Sequence, residues 1–104
     1  MERIQKILAE IESERKRQNE QEGYDEDHDD EHDAGILADA GSCYAAFACE
    51  KKPKPPAWWP WDGRFWHPKN PRKDLVRAAA LIVAEIERHD RIYLEHFGVE
   101  PVSS

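Results

Sequence analysis

Residues 20–33, Glu20-Gln-Glu-Gly-Tyr-Asp-Glu-Asp-His-Asp-Asp-Glu-His-Asp33, place nine carboxylates and two histidines in fourteen positions, with no Lys or Arg among them. Like charges at this density repel unless a divalent cation, a basic surface or water neutralises them. Within this stretch Asp29 and Asp30 are candidate ligands for a hard cation. Asp39, Asp74 and Glu85 lie further along the chain. Carboxylates gathered from several helices are how helical bundles bind such ions. Oxygen ligands favour Mg²⁺ or Mn²⁺. Each residue also has a plainer reading. Asp74 suits the first turn of a helix, where a carboxylate meets the positive end of the dipole. Glu85 can pair with Arg88 or His89. His28 and His32 are four apart, and without an apolar helical setting they read as loop histidines rather than a zinc or nickel site.

A second set of residues has the opposite charge. Residues 51–77 carry Lys51, Lys52, Lys54, Arg64, Lys69, Arg72, Lys73 and Arg77 against Asp62 and Asp74. Metal-holding carboxylates facing basic groups suit a nucleoside polyphosphate, because metal and cations then share the phosphate charge. Arg15, Arg72, Lys73 and Arg77 are the candidate phosphate ligands. Trp59, Trp61 and Trp66 are candidates to stack on a base or a partner. The rival reading is simple pairing of the basic segment with the acidic one. Nothing matches a P-loop, a dinucleotide fingerprint or a nucleophile motif.

Three helices must position these groups, which makes the fold all-α. The first spans about 2–21. Ile4, Ile7, Leu8 and Ile11 form an apolar stripe, and Glu14, Arg15 and Gln18 continue the same row. Either the helix runs past the core into water, or its second half lines a polar pocket. Gly23 is the expected stop. The second helix spans about 34–50, with Asp33 as N-cap and Ile36, Leu37, Ala40, Tyr44 and Phe47 on its apolar face. The third spans about 71–97. It opens on Asn70 as N-cap with Pro71 at the first helical position, and it closes at Gly98. Its broad apolar face is Leu75, Val76, Ala79, Ile82, Val83, Ile86, Tyr93 and Phe97. Between the last two helices, 51–71 holds six of the seven prolines and all four tryptophans. That proline density excludes a regular helix, and the aromatic content reads as an ordered crossover loop (51–70) that plugs the helical core. Residues 1–98 read as one domain and 99–104 as a tail.

With 104 residues the core is modest, and a homodimer is expected to help it. A net charge of −7 argues against direct duplex nucleic-acid binding and against an anionic membrane surface. The chain has no spanning apolar run and no signal-peptide core, so a cytoplasmic location is expected. Cys43 and Cys49 are six apart, on nearly opposite sides of a helix, and read as reduced, packed thiols.

The pattern Glu14-Arg15-Lys-Arg-Gln18, Glu22-Gly23-Tyr24, His28-Asp29-Asp30, Trp59-Pro60-Trp61-Asp62 and Asp74-Leu-Val-Arg-Ala-Ala-Ala-Leu-Ile-Val-Ala-Glu85-Ile-Glu-Arg88 resembles that of a family of small phage and prophage proteins. A fainter similarity reaches the all-α, MazG-like nucleotide pyrophosphohydrolases. That similarity implies Mg²⁺ held between helices, a nucleoside triphosphate substrate and cleavage between its α- and β-phosphates. The chain departs from those enzymes' ExxE and ExxD pairs: Asp39 has no ExxE, and Arg88 stands where ExxD has its acid. The phage resemblance also implies a bacterial host cell. It suggests an alternative in which a non-catalytic accessory protein uses its acidic face to occupy and inhibit a host factor, such as a defence complex or a nucleic-acid-binding enzyme.

Overall fold

The computed structural model describes residues 2–21, 35–48, 50 and 53–102. Within them the chain forms helix α1 (Arg3–Gln21), helix α2 (Ile36–Phe47), a 3₁₀ turn (Gly63–Phe65) and helix α3 (Pro71–Phe97). The fold is all-α. Glu20 and Gln21 of the acidic run fall in α1, and the remainder of the run lies outside the described residues, as do Gly23, Asp33 and Cys49.

The long helix begins where its sequence says it should. Asn70 is extended, and its side chain accepts a hydrogen bond from the Lys73 N–H at 2.9 Å, with Pro71 in the first turn. Gly98 ends the helix in the left-handed region (φ 73°), donating its N–H to the Leu94 carbonyl. The start of α2 differs from expectation. Its N-cap is Gly35, at φ 93°, with no side-chain cap of its own. The Glu85 carboxylate of α3 takes that place by accepting the Gly35 N–H at 2.8 Å. A glycine fits because a Cβ is disfavoured at that φ.

Both other helices pack on α3. The closest approach is at Gly41 of α2. A Cβ there would stand 3.0 Å from the Ala78 carbonyl oxygen and 3.2 Å from Cγ1 of Ile82. The core gathers Leu37, Ala40, Cys43 and Tyr44 from α2, Ala78, Leu81 and Ala84 from α3, and Trp66 from the crossover. The crossover's aromatics pack at orthogonal and stacked angles. Trp66 stacks on Tyr44 with centroids 4.6 Å apart, and Trp59 meets Tyr44, Trp61 and Trp66 edge-on. The crossover thus closes the core through Trp66, with Trp59 and Trp61 packed against it.

Two amphipathic rows are reversed relative to expectation. On α1 the aliphatic half is open, with Ile4 and Leu8 each 56% exposed, while Arg15 and Gln18 are buried. On α3, Leu75, Ile82, Val83 and Ile86 are exposed. The inward face is instead Ala78, Ala80, Leu81 and Ala84 with Asp74, Arg77, Glu85 and Arg88. The cause is steric and electrostatic together. Alanines let α2 approach at Gly41, and the four charged side chains find partners only on that side.

Gly41→Val should destabilise the protein by about 1–3 kcal/mol, the usual range for overpacking against an unyielding backbone atom. A urea unfolding curve measures this. An unchanged midpoint would show that the two helices are not in contact there.

Candidate functional site

The sequence's site residues separate into three places. Asp29 and Asp30 lie outside the described residues. Asp39 sits in the first turn of α2 with its side chain exposed. Asp74 is 3% exposed and its Oδ1 accepts the Lys69 N–H at 2.9 Å, which ties the end of the crossover to the first turn of α3. Glu85 is committed twice, to Arg88 Nε through Oε1 and to the Gly35 N–H through Oε2. Asp74 and Glu85 are eleven residues apart on one helix, about 16 Å along its axis, too far to share an ion. Among the described residues no group of three or more His, Cys, Asp or Glu side chains is placed to hold a metal. Asp74 and Glu85 thus do not converge on a shared ion, and each is committed to other partners.

The basic candidates fare differently. Arg15 is buried on the α1–α3 contact, where Nε donates to Glu87 at 2.9 Å and Nη1 to Asn19 at 2.6 Å. Arg72, Lys73 and Arg77 come together in a groove of about 880 Å³ between α1 and the start of α3. The groove is also lined by Lys69 and, from α1, by Lys6 and Arg17, so six cations face Glu10 and Glu14. From α1 the sequence pointed to Arg15, whereas the groove takes Lys6 and Arg17. The signal was Lys6, Glu10, Ser13 and Arg17 at helical spacing on one polar face.

Burial and pairing sort the six cations. Arg77 is 9% exposed. Its Nη1 donates to the Tyr44 hydroxyl at 3.2 Å and the His67 carbonyl at 2.6 Å, and its guanidinium lies 5.0 Å from the Tyr44 ring centroid. Arg77 is the groove's fixed wall. Arg72 grips Glu10 through both terminal nitrogens, and Arg17 grips Glu14 through Nε and Nη2, both at 2.7 Å. The ammonium groups of Lys69 and Lys73 pair with no carboxylate among the described residues. The Arg72 pair also holds the Glu10 carboxyl below its ordinary range.

Glu14 connects the groove to the interior. Burial pushes its carboxyl up, but the Arg17 hydrogen bond and charge, the Arg77 charge and the Gln18 amide outweigh that and hold it below its ordinary value. Gln18 is fully buried and gives its Nε2 to Glu14 at 3.2 Å, while its Oε1 has no hydrogen-bond partner among the described residues. The polar half of α1 thus packs against α3 and does not run into water. Trp66 belongs to the core, and Trp59 and Trp61 lie partly buried against it. None of the three lines the groove.

No protein-family model matches the chain, no curated protein matches it, and no solved structure matches it. Among the described residues, no helix is long and apolar enough to cross a membrane.

A carboxyl lowered on folding contributes stability that is full above its unfolded value and is lost as pH falls through the folded one. Stability should therefore drop as the pH falls through and below the ordinary carboxylate range, and Glu14→Gln should flatten that drop. Urea melts at a series of pH values test this. Parallel pH profiles for the two proteins would remove Glu14 from the account.

Proposed function

We propose that the protein binds a nucleoside polyphosphate, a nucleoside triphosphate by preference, in the groove between α1 and α3. The observation that supports this most strongly is the charge of the groove against the charge of the chain. Six cations line it in a protein of net charge −7, and two of them, Lys69 and Lys73 at the N-terminal end of α3, pair with no carboxylate among the described residues. Phosphate oxygens are favoured there by the helix dipole as well as by the ammonium groups. Arg77, fixed by Tyr44 and His67, would orient one phosphate. Arg72 and Arg17 would exchange their carboxylate partners for phosphate oxygens on binding, an exchange of like for like. A volume of about 880 Å³ is suited to a nucleotide-sized ligand, and Ala9 and Val76 give it some apolar wall.

Charge neutralisation by these residues needs no metal. The resemblance to MazG-like pyrophosphohydrolases would add Mg²⁺ or Mn²⁺ and cleavage, and that extension rests on the resemblance, since Asp74 and Glu85 are spent on backbone N–H groups and Arg88. The second reading is the non-catalytic acidic accessory protein, which the nine-carboxylate run and the net charge favour.

Calorimetric titration with nucleoside tri-, di- and monophosphates separates the two readings. Affinity should rise with phosphate number and fall with salt. It should fall by about tenfold or more in the Lys69→Glu/Lys73→Glu variant, in line with the loss of two charge-assisted contacts. No binding by any nucleotide at low salt would defeat the proposal and leave the acidic reading. Pyrophosphate release on adding Mg²⁺ or Mn²⁺ would extend binding to catalysis.

A further inference from the structure

We infer that the groove between α1 and α3 recognises a chain of phosphates along its whole length and does not read a base, so that inorganic tripolyphosphate is as good a ligand as any nucleoside triphosphate; this rests on the polyphosphate reading given above. Glu10 pairs with Arg72, and Glu14 stands 3.8 Å from Arg77. The two helices therefore advance the same way along the groove. In that order Lys6 and Lys69 come first, Arg72 and Lys73 next, and Arg17 and Arg77 last. On α1 the row from Lys6 to Arg17 covers about 16 Å. Six cations against two carboxylates leave four positive charges in excess, and each part of that length holds a cation. A neutral nucleoside seated there would take water from charged groups and give them nothing in exchange. A chain of phosphates offers each of them an oxygen.

Reading a base takes an aromatic face to stack on, or polar groups set against the base's edge. Among the described residues the groove's lining has no aromatic and no amide side chain, and Ser13 is its one neutral hydrogen-bonding side chain. Ala9 and Val76 offer aliphatic contact, which discriminates weakly between rings of similar shape. Backbone groups are occupied as well. From Lys6 to Arg17 they lie within α1. The Lys69 N–H goes to Asp74 and the Lys73 N–H to Asn70. The rings that could stack are engaged elsewhere. The Trp58 indole N–H donates to the Ser42 hydroxyl, that of Trp59 donates to the Asp62 carbonyl, and Trp66 lies on Tyr44.

Calorimetric titration of the whole chain, at low salt with chelator present, compares the four common ribonucleoside triphosphates with inorganic tripolyphosphate. The nucleotides should agree within about threefold, whereas a site that hydrogen-bonds a base discriminates by orders of magnitude. Tripolyphosphate should bind at least as tightly as the best of them. Lys69→Glu/Lys73→Glu should weaken every one of these ligands by a common factor of about tenfold or more. Lys6→Glu, on the facing helix, should weaken them in common by a smaller factor. Helical circular dichroism of both variants should match the parent, since all three lysines are exposed. One base favoured by about tenfold, or tripolyphosphate weaker than the nucleotides by that margin, would overturn the inference and leave nucleotide binding standing. Tripolyphosphate binding that both variants leave unchanged, or no binding by any of these ligands, would overturn the inference together with the polyphosphate reading.

Discussion

The inner face of α3 carries Asp74, Arg77, Glu85 and Arg88, all buried, and the fold depends on each of them having a partner. A buried charge without one costs several kcal/mol, by order of magnitude. The crossover, α2 and α1 each supply one. The crossover gives the Lys69 N–H to Asp74 and the His67 carbonyl to Arg77. α2 gives the Tyr44 hydroxyl and the Gly35 N–H. α1 brings Glu14 within 3.8 Å of Arg77. Glu85 and Arg88 complete each other. These partners determine which way α3 is rotated, and so which of its two faces is left outside.

Much of this was legible in the sequence. Asn70-Pro71 and Gly98 bounded α3 correctly because caps are local chemistry, settled within a few residues. The crossover's density of tryptophan marked it as ordered, since such a segment gains more by burial than it loses in entropy. The rotation of α3 was not legible. Periodicity reports that Leu75, Ile82 and Ile86 share a face, and it is silent on whether that face meets the same chain. The competing face, Ala78, Leu81 and Ala84 among charges, looks solvent-exposed until Tyr44 and Gly35 arrive from α2, and those contacts span thirty-three and fifty residues. For the same reason the α1 half of the groove, Lys6 and Arg17, escaped notice: its relation to Lys69 and Lys73 exists only in space.

The groove and the interior are joined by shared residues. Arg77 touches the aromatic core through Tyr44 and the groove through its position beside Glu14. Asp74 fixes the backbone of Lys69, so a buried hydrogen bond determines where a groove cation sits. Positioning of this kind reduces the ordering cost that a flexible lysine on a loop would otherwise impose on a ligand.

The small side chains at the helix contacts have a thermal consequence. A core built on Ala40, Ala78, Ala80 and Ala84, with Leu37 and Leu81 its only fully buried leucines, hides little hydrocarbon per residue. Hydration of hydrocarbon is what makes the heat capacity rise on unfolding, and polar groups released with it pull the other way. The increment for a single chain is therefore low for its length. A low increment flattens the dependence of stability on temperature.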